Sequence, residues 1–382
     1  MEASPRGGKG RKALLVLEDG SYFFGYGFGA TKKVTGEVVF STGMVGYTEA
    51  LTDPSYYGQI LTLTYPLVGN YGVPKFTSDA GIPSPYFESE GVKVRGLVVQ
   101  NLCQTPSHWS SSKSLHDWLL EEGVPGIHGI DTRQLTKKLR EKGVMLGVLK
   151  VYGEDEEPDV EDLRREAASV PDPNQTDLVR MVTVAQPITH TATGRSRKAV
   201  VIDCGVKAGI LRCLLKRGFE VTRVPYNFSL DKLVGLKPDL VVVSNGPGDP
   251  RLCVQTIELV RGLIETRIPV FGICLGSQII ALSVGAASYK LKYGHRSQNQ
   301  PALDLETGRC YITTQNHGYA IEASSLDRTE LRISFLNAND RTVEGVVHPE
   351  QPCIGVQFHP EASPGPQDTE FLFDKFLSLG GR

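Results

Sequence analysis

The chain has 382 residues and a formal net charge of −2, with 40% apolar and 22% charged residues. These proportions are ordinary for a globular protein and argue against intrinsic disorder and fibrous classes, and the length allows two domains. Because the net charge is close to zero, neither nucleic acid nor an anionic membrane is expected as a partner. The seven cysteines have no paired spacing, so we predict reduced thiols, no disulfide framework and no metal site.

No apolar run is as long as a membrane span, and the N-terminus lacks the apolar core of a signal peptide. The cytoplasm is therefore the expected location. The basic start between Arg6 and Lys12 is short and glycine-rich, which favours a frayed terminus over a binding arm.

The first half of the chain predicts short strands followed by helices. An apolar run over residues 13–20 ends in an Asp-Gly turn and is followed by an aromatic run at 21–24, a pattern typical of a β-hairpin. Residues 37–40 are another strand candidate. The stretch 36–56 is rich in turn-forming residues, and on physical grounds alone it is predicted to be a surface loop.

Helices follow in the next part of the chain. One is predicted over 112–122 and another over 131–143, where Asp131 is the N-cap and a glycine ends the helix. An acidic loop at 153–158 precedes a third helix, which ends near Ala168.

The second half alternates strands and helices after a proline-containing connection, residues 169–198. We place the domain boundary there, which gives domains 1–193 and 194–382. The alternation predicts an α/β fold with a mostly parallel sheet, helices on both faces and ligands at the carboxyl ends of the strands. The predicted strands are 199–203, 220–224, 240–243 and 310–314, and the predicted helices are 206–217, 229–236, 254–266 and 368–379.

Residues 269–282 contain the candidate nucleophile, Cys274. A proline-led apolar strand precedes this cysteine and a helix with apolar residues at helical spacing follows it, so Cys274 lies at the turn between them. The backbone N–H groups at a helix start favour a thiolate over a thiol. The alternative is a small buried core residue, which is the usual role of a free cysteine. We predict such structural roles for the other cysteines, Cys103, Cys204, Cys213, Cys253, Cys310 and Cys353.

A second stretch, residues 354–361, favours the nucleophile. It is an apolar strand that ends in His359, with Glu361 two residues further on. Residues two apart on an extended segment share a face, so the carboxylate can hold the imidazole in one tautomer while the imidazole takes the thiol proton. We therefore predict a triad of Cys274, His359 and Glu361. Among the eight histidines, His359 is the one for which the sequence predicts a carboxylate partner.

Three motifs resemble the class I (triad-type) glutamine amidotransferases. They are residues 244–250, residues 272–276 with Gln278, and residues 359–361, in that order. The resemblance implies a flavodoxin-like domain that hydrolyses the side-chain amide of glutamine through a glutamyl thioester. Many relatives carry histidine where this chain has Ser277, and we expect activity to survive that departure.

The same resemblance implies a glutamine pocket. The oxyanion of the reaction needs backbone N–H donors, and Gly246 and Leu275 are the candidates by family match and by position, although a tight turn also explains the Gly-Pro-Gly sequence. By spacing alone, residues 315–319 are a polar loop with His317 as a second candidate base. The family match instead assigns to the pocket the residues Gly248, Gln278, Asn316, Gly318 and Tyr319.

The first half matches a narrower family. Five segments look like the N-terminal domain of the small, glutaminase subunit of carbamoyl-phosphate synthetase, which other amidotransferases of this class lack. These segments are residues 14–20, 36–40, 43–49, 51–56 and 63–70. By this resemblance Ser55 contacts bound glutamine. The resemblance also implies a large-subunit partner, which receives ammonia by a protected path and makes carbamoyl phosphate from bicarbonate and two ATP for pyrimidine and arginine synthesis.

No cofactor is expected in this chain, because neither GxGxxG nor GxxxxGK[ST] occurs at a predicted strand-to-helix turn. ATP and Mg would be used by the partner.

Two other functions compete with this one. The chain could supply ammonia to a different synthase, which the N-terminal motifs oppose, or it could be a catalytically silent binding subunit, which the complete Cys274, His359 and Glu361 set opposes.

Overall fold

The computed structural model describes residues 10–191 and 197–379, which divide into two compact units. Unit 1 contains the described residues up to Thr77 together with Glu90–Gln175. Unit 2 contains Ser78–Ser89 and the described residues from Thr176 onward. The predicted boundary between residues 193 and 194 lies outside the described residues.

Strands and helices are numbered in chain order. The strands are β1 (Lys12–Leu17), β2 (Tyr22–Gly29), β3 (Lys33–Ser41), β4 (Gln59–Leu63), β5 (Leu67–Val68), β6 (Val73–Pro74), β7 (Ser78–Asp79), β8 (Ile82–Pro83), β9 (Gly96–Val98), β10 (Asn101–Leu102), β11 (Ser111–Lys113), β12 (Pro125–His128), β13 (Met145–Val151), β14 (Ile188–His190), β15 (Arg197–Asp203), β16 (Phe219–Pro225), β17 (Leu240–Val243), β18 (Val270–Ile273), β19 (Ser288–Asp304), β20 (Cys310–Ile321), β21 (Arg332–Asn337), β22 (Val343–Val347) and β23 (Cys353–Val356). The α-helices are α1 (Tyr47–Thr52), α2 (Leu115–Glu121), α3 (Thr132–Lys142), α4 (Val160–Ala167), α5 (Ala208–Lys216), α6 (Leu230–Gly235), α7 (Val254–Glu265), α8 (Leu275–Ser283), α9 (Ala323–Leu326) and α10 (Phe371–Leu379). Within these described residues, no helix combines the length and the apolar character that a membrane span needs.

Unit 1 is built on a closed barrel of seven strands in the order β1-β13-β3-β4-β9-β12-β2. The predicted hairpin is confirmed, because β1 and β2 pair antiparallel across a turn in which Gly20 has a φ of 80°. The apolar run of β1 is buried on both faces. Leu14 and Val16 pack against Leu163 and Ala167 of α4, so the helix covers the outside of the barrel at this strand.

The predicted surface loop over residues 36–56 is wrong. This stretch contains the end of β3, helix α1 and a 3₁₀ helix at Pro54–Tyr56, and most of its side chains after Gly46 are buried. The turn-forming residues act instead at the ends of short elements. Gly46 precedes α1 with a φ of 76°, and the Asp53 side chain accepts a hydrogen bond from the backbone N–H of Ser55.

The three helices predicted next are confirmed as α2, α3 and α4, each with a side-chain N-cap. The Ser114 side chain accepts from Asp117 N, Asp131 accepts from Gln134 N, and Asp159 accepts from Asp162 N. Helix α3 ends at Gly143, which has a φ of 109° that favours glycine. The cap at Asp131 lies where the sequence predicted it. Helix α2 begins three residues later than predicted, because residues 111–113 form strand β11.

Unit 2 contains a ten-stranded sheet in the order β14-β16-β15-β17-β18-β23-β22-β21-β19-β20. The five strands from β16 to β23 are parallel, as predicted, and β14 and the four strands after β23 are antiparallel additions. Strand β14 lies in the segment predicted to be a connection, so that part of the segment belongs to the sheet. The residues predicted to form a polar loop, 315–319, lie inside β20.

Alternate residues of the parallel strands point into two separate cores, which explains the helices on both faces. Val200 and Ile202 of β15 belong to the core that includes residues of α6, α7 and α8. Val201, between them, belongs to the core that includes residues of α5 and α10. This period of two is expected for a strand that is buried on both faces. The predicted α/β class of unit 2 is confirmed.

Candidate active site

Cys274 occupies a sharp turn between strand β18 and helix α8. It is 2% exposed and has a φ of 55° and a ψ of −106°, a backbone conformation that side-chain-bearing residues rarely adopt. Two glycines make the turn sterically feasible. A Cβ at Gly276 would lie 2.0 Å from the carbonyl oxygen of Val243, and one at Gly272 would lie 2.6 Å from the backbone of Gly276. The predicted strand, turn and helix are therefore present, with the cysteine at the helix N-cap position.

His359 and Glu361 follow strand β23, which is the parallel neighbour of β18. His359 Nδ1 lies 2.7 Å from Glu361 Oε1, and both side chains are buried. The backbone N–H of His359 donates to Thr314 O, which fixes His359 beside strand β20. The sequence prediction that the carboxylate orients the imidazole is matched by this contact.

The sulfur of Cys274 has three neighbours in the site. Its thiol lies 3.7 Å from the carbonyl oxygen of Asn316, and Gln357 Nε2 donates to the sulfur at 3.6 Å. His359 Nε2 is buried without a hydrogen-bond partner of normal geometry among the described residues, while the nearby thiol favours the protonated imidazole. In unliganded active sites such catalytic contacts are often long and tighten when substrate binds.

Lys207, which sequence reasoning missed, completes the charge arrangement. Its Nζ lies 3.0 Å from Glu361 Oε1 and donates to the carbonyl oxygen of Ala362 at 2.7 Å. Lys207 is only 2% exposed. A signal was present in the sequence, since this lysine comes shortly after the carboxyl end of a predicted parallel strand, where ligand-binding residues of α/β folds concentrate.

The buried charges of this site hold the imidazole in its protonated form. Burial opposes the imidazolium, yet the carboxylate of Glu361 outweighs that effect and raises the pKa of His359 to about 10. Burial also opposes the carboxylate, but Lys207 and then His359 lower the pKa of Glu361 to about 2. A proton that leaves the thiol is therefore well accommodated on His359.

These shifts predict a pH-dependent contribution of His359 to stability. The pKa of about 10 exceeds the ordinary value of 6.5, so the contribution is complete below pH 6.5 and is lost as the pH rises toward 10. The difference in free energy of unfolding between wild type and His359→Asn, measured in urea, should be larger at about pH 6 than at about pH 9 by at least about 1 kcal/mol. A difference that does not change between the two pH values would contradict this charge assignment.

The two residues proposed as oxyanion donors, Gly246 and Leu275, are packed close together. A Cβ at Gly246 would lie 2.1 Å from the carbonyl oxygen of Cys204 and 2.8 Å from Cδ2 of Leu275. Gly246 follows strand β17 and Leu275 begins α8, so both backbone N–H groups belong to the carboxyl edge of the sheet. Gly248 has a φ of 87°, which agrees with a tight turn at this position.

The other predicted pocket residues of unit 2 also gather around the site. Gln278 Nε2 donates to Tyr319 O at 2.7 Å and to Gln357 Oε1 at 2.9 Å. Asn316 and Gly318 lie on the same strand, β20, as Tyr319. Ser55 lies in unit 1, where it is buried in the 3₁₀ helix Pro54–Tyr56, and its contact with glutamine stays a prediction.

Strand β20 forms here, against the prediction of a loop, because its polar side chains find hydrogen-bond partners on β22 and within β20 itself. Gln315 Nε2 donates to Glu344 Oε2 at 2.8 Å, and His317 Nδ1 donates to Tyr319 O at 2.8 Å. These polar groups can therefore be buried without loss of hydrogen bonds. Gln357, another residue missed at the sequence level, belongs to the same set of contacts.

His295 and His348 also have carboxylate partners in the structure, although no partnered motif surrounds them in the sequence. His295 Nε2 lies 2.8 Å from Asp340 Oδ2, and His348 Nε2 lies 2.7 Å from Glu330 Oε2. These partners come from other strands and loops, so no local sequence motif predicts them.

Three residues of this region could hold a metal ion, since ligand atoms of His295, His317 and Glu344 lie within 4.8 Å of one another. Both oxygens of Glu344 already accept amide hydrogen bonds, from Asn337 and from Gln315. Burial and the adjacent His295 lower the pKa of His317, which indicates a positive local potential. The contacts are those of a hydrogen-bonded network, and the absence of a metal site stays a prediction.

Ser277, the departure from the family pattern, is fully buried in α8. Its hydroxyl has no hydrogen-bond partner among the described residues. A Cβ at Gly355 would lie 2.6 Å from this hydroxyl, so the helix packs closely against strand β23 at this point.

Comparison with known proteins agrees with the division into two halves. Residues 15–149 match the family model of the carbamoyl-phosphate synthase small chain, CPSase domain, and residues 200–379 match the class I glutamine amidotransferase model. The carbamoyl phosphate synthase small chain of Methanocaldococcus jannaschii is 47% identical over 371 residues, covering 97% of this chain and 99% of that protein. The multifunctional protein CAD of Squalus acanthias is 49% identical over 369 residues, covering 96% of this chain and 16% of that protein.

Among solved structures, a putative GMP synthase protein from Thermoplasma acidophilum is similar with a TM-score of 0.44 and 24% sequence identity, covering 49% of this chain and 96% of that one. The two family models together span both halves of the chain, and the archaeal small chain matches nearly its full length. The chain therefore belongs to the carbamoyl-phosphate synthase small-chain family, with a class I glutamine amidotransferase domain in its second half.

Proposed function

We propose that this chain hydrolyses L-glutamine to glutamate and ammonia and delivers the ammonia to a large synthetase subunit. The observation that carries the proposal is the buried set of Cys274 at the strand-to-helix turn, His359 beside it and Glu361 at 2.7 Å from His359 Nδ1. A thiolate paired with an oriented imidazole is the arrangement that nucleophilic acyl transfer needs.

The reaction follows from the positions of these groups. The sulfur of Cys274 attacks the carboxamide carbon of glutamine, and the oxyanion that forms accepts hydrogen bonds from the backbone N–H groups of Gly246 and Leu275. His359 gives its proton to the departing nitrogen, so that the carbon–nitrogen bond breaks and ammonia leaves. His359 then takes a proton from water, which attacks the thioester and releases glutamate and the free cysteine.

The ammonia is expected to react in the active site of a partner protein. Free ammonia is protonated at neutral pH, and a protected path to a second active site avoids that loss. We infer that the partner is the large subunit, which makes carbamoyl phosphate from bicarbonate and two ATP for pyrimidine and arginine synthesis, and that ATP and Mg bind there. The relative named multifunctional protein CAD, of which this chain corresponds to 16%, is consistent with a small chain that works with further domains. The cytoplasm stays the predicted location.

The test is glutamate release from glutamine by the purified chain, on its own and together with the large subunit, ATP and bicarbonate. We expect release that increases when the large subunit and its substrates are present, and carbamoyl phosphate formed in proportion to glutamate. Stable complex formation without glutamate release in any mixture would contradict the proposal and leave a binding subunit. Release that no synthetase large subunit stimulates would favour a different synthase as the partner.

A further inference from the structure

A buried carboxylate outside the triad, Glu88, lies on the short segment Ser78–Ser89 that belongs to unit 2. Glu88 is 1% exposed. Its backbone carbonyl accepts from Ala208 N at 2.8 Å, and its Oε2 accepts from Gly209 N at 2.8 Å. Glu88 therefore binds the first backbone N–H groups of helix α5, which begins one residue after Lys207.

The other oxygen of Glu88 reaches the turn that follows the triad carboxylate. Ser363 Oγ donates a hydrogen bond to Glu88 Oε1. Arg212 Nη2 also donates to Oε1, at 2.7 Å, so the buried negative charge is paired. One carboxylate thus joins the start of α5 to the residues just after Glu361.

The turn after Glu361 has an unusual backbone. Ala362 has a φ of 54° and Ser363 has a φ of 50°, and both are side-chain-bearing residues in the left-handed region. Such residues persist only where surrounding contacts hold them. Here the contacts are the hydrogen bond from Lys207 Nζ to Ala362 O and the one from Ser363 Oγ to Glu88.

Gly209 is the point at which these groups meet. A Cβ there would lie 3.0 Å from Cγ of Glu361, 3.1 Å from Oε2 of Glu88 and 3.4 Å from Cβ of Ser363. The Glu361 side chain therefore packs directly on the helix start that Glu88 binds. A shift of that start would move Lys207 and Glu361 relative to His359.

We propose that Glu88 is a positioning residue for the triad, which acts by holding the start of α5 and the turn at Ala362 and Ser363 so that Glu361 faces His359. The proposal rests on the proposed glutaminase function. Glu88 touches neither Cys274 nor His359 in the contacts described, so its effect passes through Glu361 and Lys207. A carboxylate is needed at this position, because the three hydrogen bonds described above for the Glu88 side chain all come from N–H or O–H donors. The amide of a glutamine would place its own N–H group against one of these donors.

The test compares Glu88→Gln and Ser363→Ala with wild type in the complex with the large subunit. For Glu88→Gln we expect kcat for glutamine hydrolysis to fall about 10–100-fold with KM changed less than about twofold, because His359 loses the orientation that Glu361 gives it while the pocket is kept. Ser363→Ala removes the hydrogen bond that Oγ donates to Glu88 and the longer one, 3.3 Å, that Oγ accepts from Arg212 Nη2, and it should lower kcat roughly 3–10-fold. Glu90→Gln, at an exposed position two residues further along the chain and in unit 1, is the control and should leave kcat unchanged.

A second measurement distinguishes a positioning role of Glu88 from a general effect of the substitution on stability. The rate of Cys274 alkylation by iodoacetamide is measured against pH, with Cys274→Ala as the blank. If Glu361 no longer faces His359, the imidazole holds the thiol proton less well, so the midpoint of the profile should move to higher pH by about 0.5–1 unit. A purely structural role would lower thermal stability without moving that midpoint.

The outcomes distinguish the two proposals. A wild-type complex without glutaminase activity would overturn the proposed function itself. An active wild type, with both variants unchanged in kcat and in the alkylation profile, would overturn the positioning role of Glu88. Should Glu88→Gln fail to fold, an unchanged kcat and profile for Ser363→Ala would also overturn it.

Discussion

Replacement of Cys274 by alanine is expected to lower kcat for glutamine hydrolysis on the order of 10⁴-fold or more, because the nucleophile is lost and no other group of the site forms a thioester. Cys274 is 2% exposed, and its sulfur lies beside Asn316 O and Gln357 Nε2. The smaller side chain should leave the fold and the pocket in place. The measurement is glutamate release in the complex with the large subunit, with ATP and bicarbonate present.

The matched control is Cys310→Ser, since Cys310 is an exposed cysteine at the start of β20. That variant should keep wild-type kcat. With ammonia supplied instead of glutamine, the Cys274→Ala complex should still make carbamoyl phosphate at the wild-type rate, because the synthetase reaction does not need the thiol. Glutamine hydrolysis that survives in Cys274→Ala would show that the nucleophile lies elsewhere.

Replacement of Lys207 by methionine is expected to destabilise unit 2 by about 1–3 kcal/mol, because it removes one of the two cations beside the buried carboxylate of Glu361 and takes the hydrogen-bond donor away from Ala362 O. Lys207 Nζ lies 3.0 Å from Glu361 Oε1, and the two side chains are 2% and 0% exposed. Methionine keeps most of the volume, so the change tests charge and not packing. The measurement is urea unfolding of the full chain, together with kcat for glutamine hydrolysis.

The chain offers a control for this variant at the other end of α5. Lys216 pairs with Glu370 at 3.2 Å but is 72% exposed, so Lys216→Met should change the free energy of unfolding by less than about 1 kcal/mol. The double variant Lys207→Met with Glu361→Gln removes both buried charges, and it should regain much of the lost stability while glutaminase activity stays low. Equal effects of Lys207→Met and Lys216→Met on stability would contradict the buried-pair interpretation.

Features that depend on neighbours in the chain could be predicted from the sequence. The β1–β2 hairpin follows from an Asp-Gly turn between two apolar runs, and the start of α3 follows from its cap at Asp131, three residues before Gln134. The turn at Cys274 and the contact between His359 and Glu361 belong to this class as well, since each involves residues no more than two apart. Their geometry is local, so periodicity and turn chemistry suffice to locate them.

Prediction failed where a segment's structure depends on distant partners. Residues 315–319 are polar enough to resemble a loop, but pairing with β19 and hydrogen bonds to Glu344 hold them in a strand. Residues 36–56 contain many turn formers, yet the stretch is largely buried in unit 1. Burial and strand pairing override local propensity in both stretches.

The sequence by itself predicted the alternation of strands and helices in the second half, the turn at Cys274 and the three residues that we propose as the triad. Only the tertiary structure decided which charges surround that triad. Lys207 contacts Ala362 from 155 residues away, and Glu88 contacts Ser363 from 275 residues away. No pattern in the sequence predicts such pairs, because they form only when the parallel sheet brings the ends of its strands to one edge. The low-polarity surroundings at that edge make each buried charge require a partner.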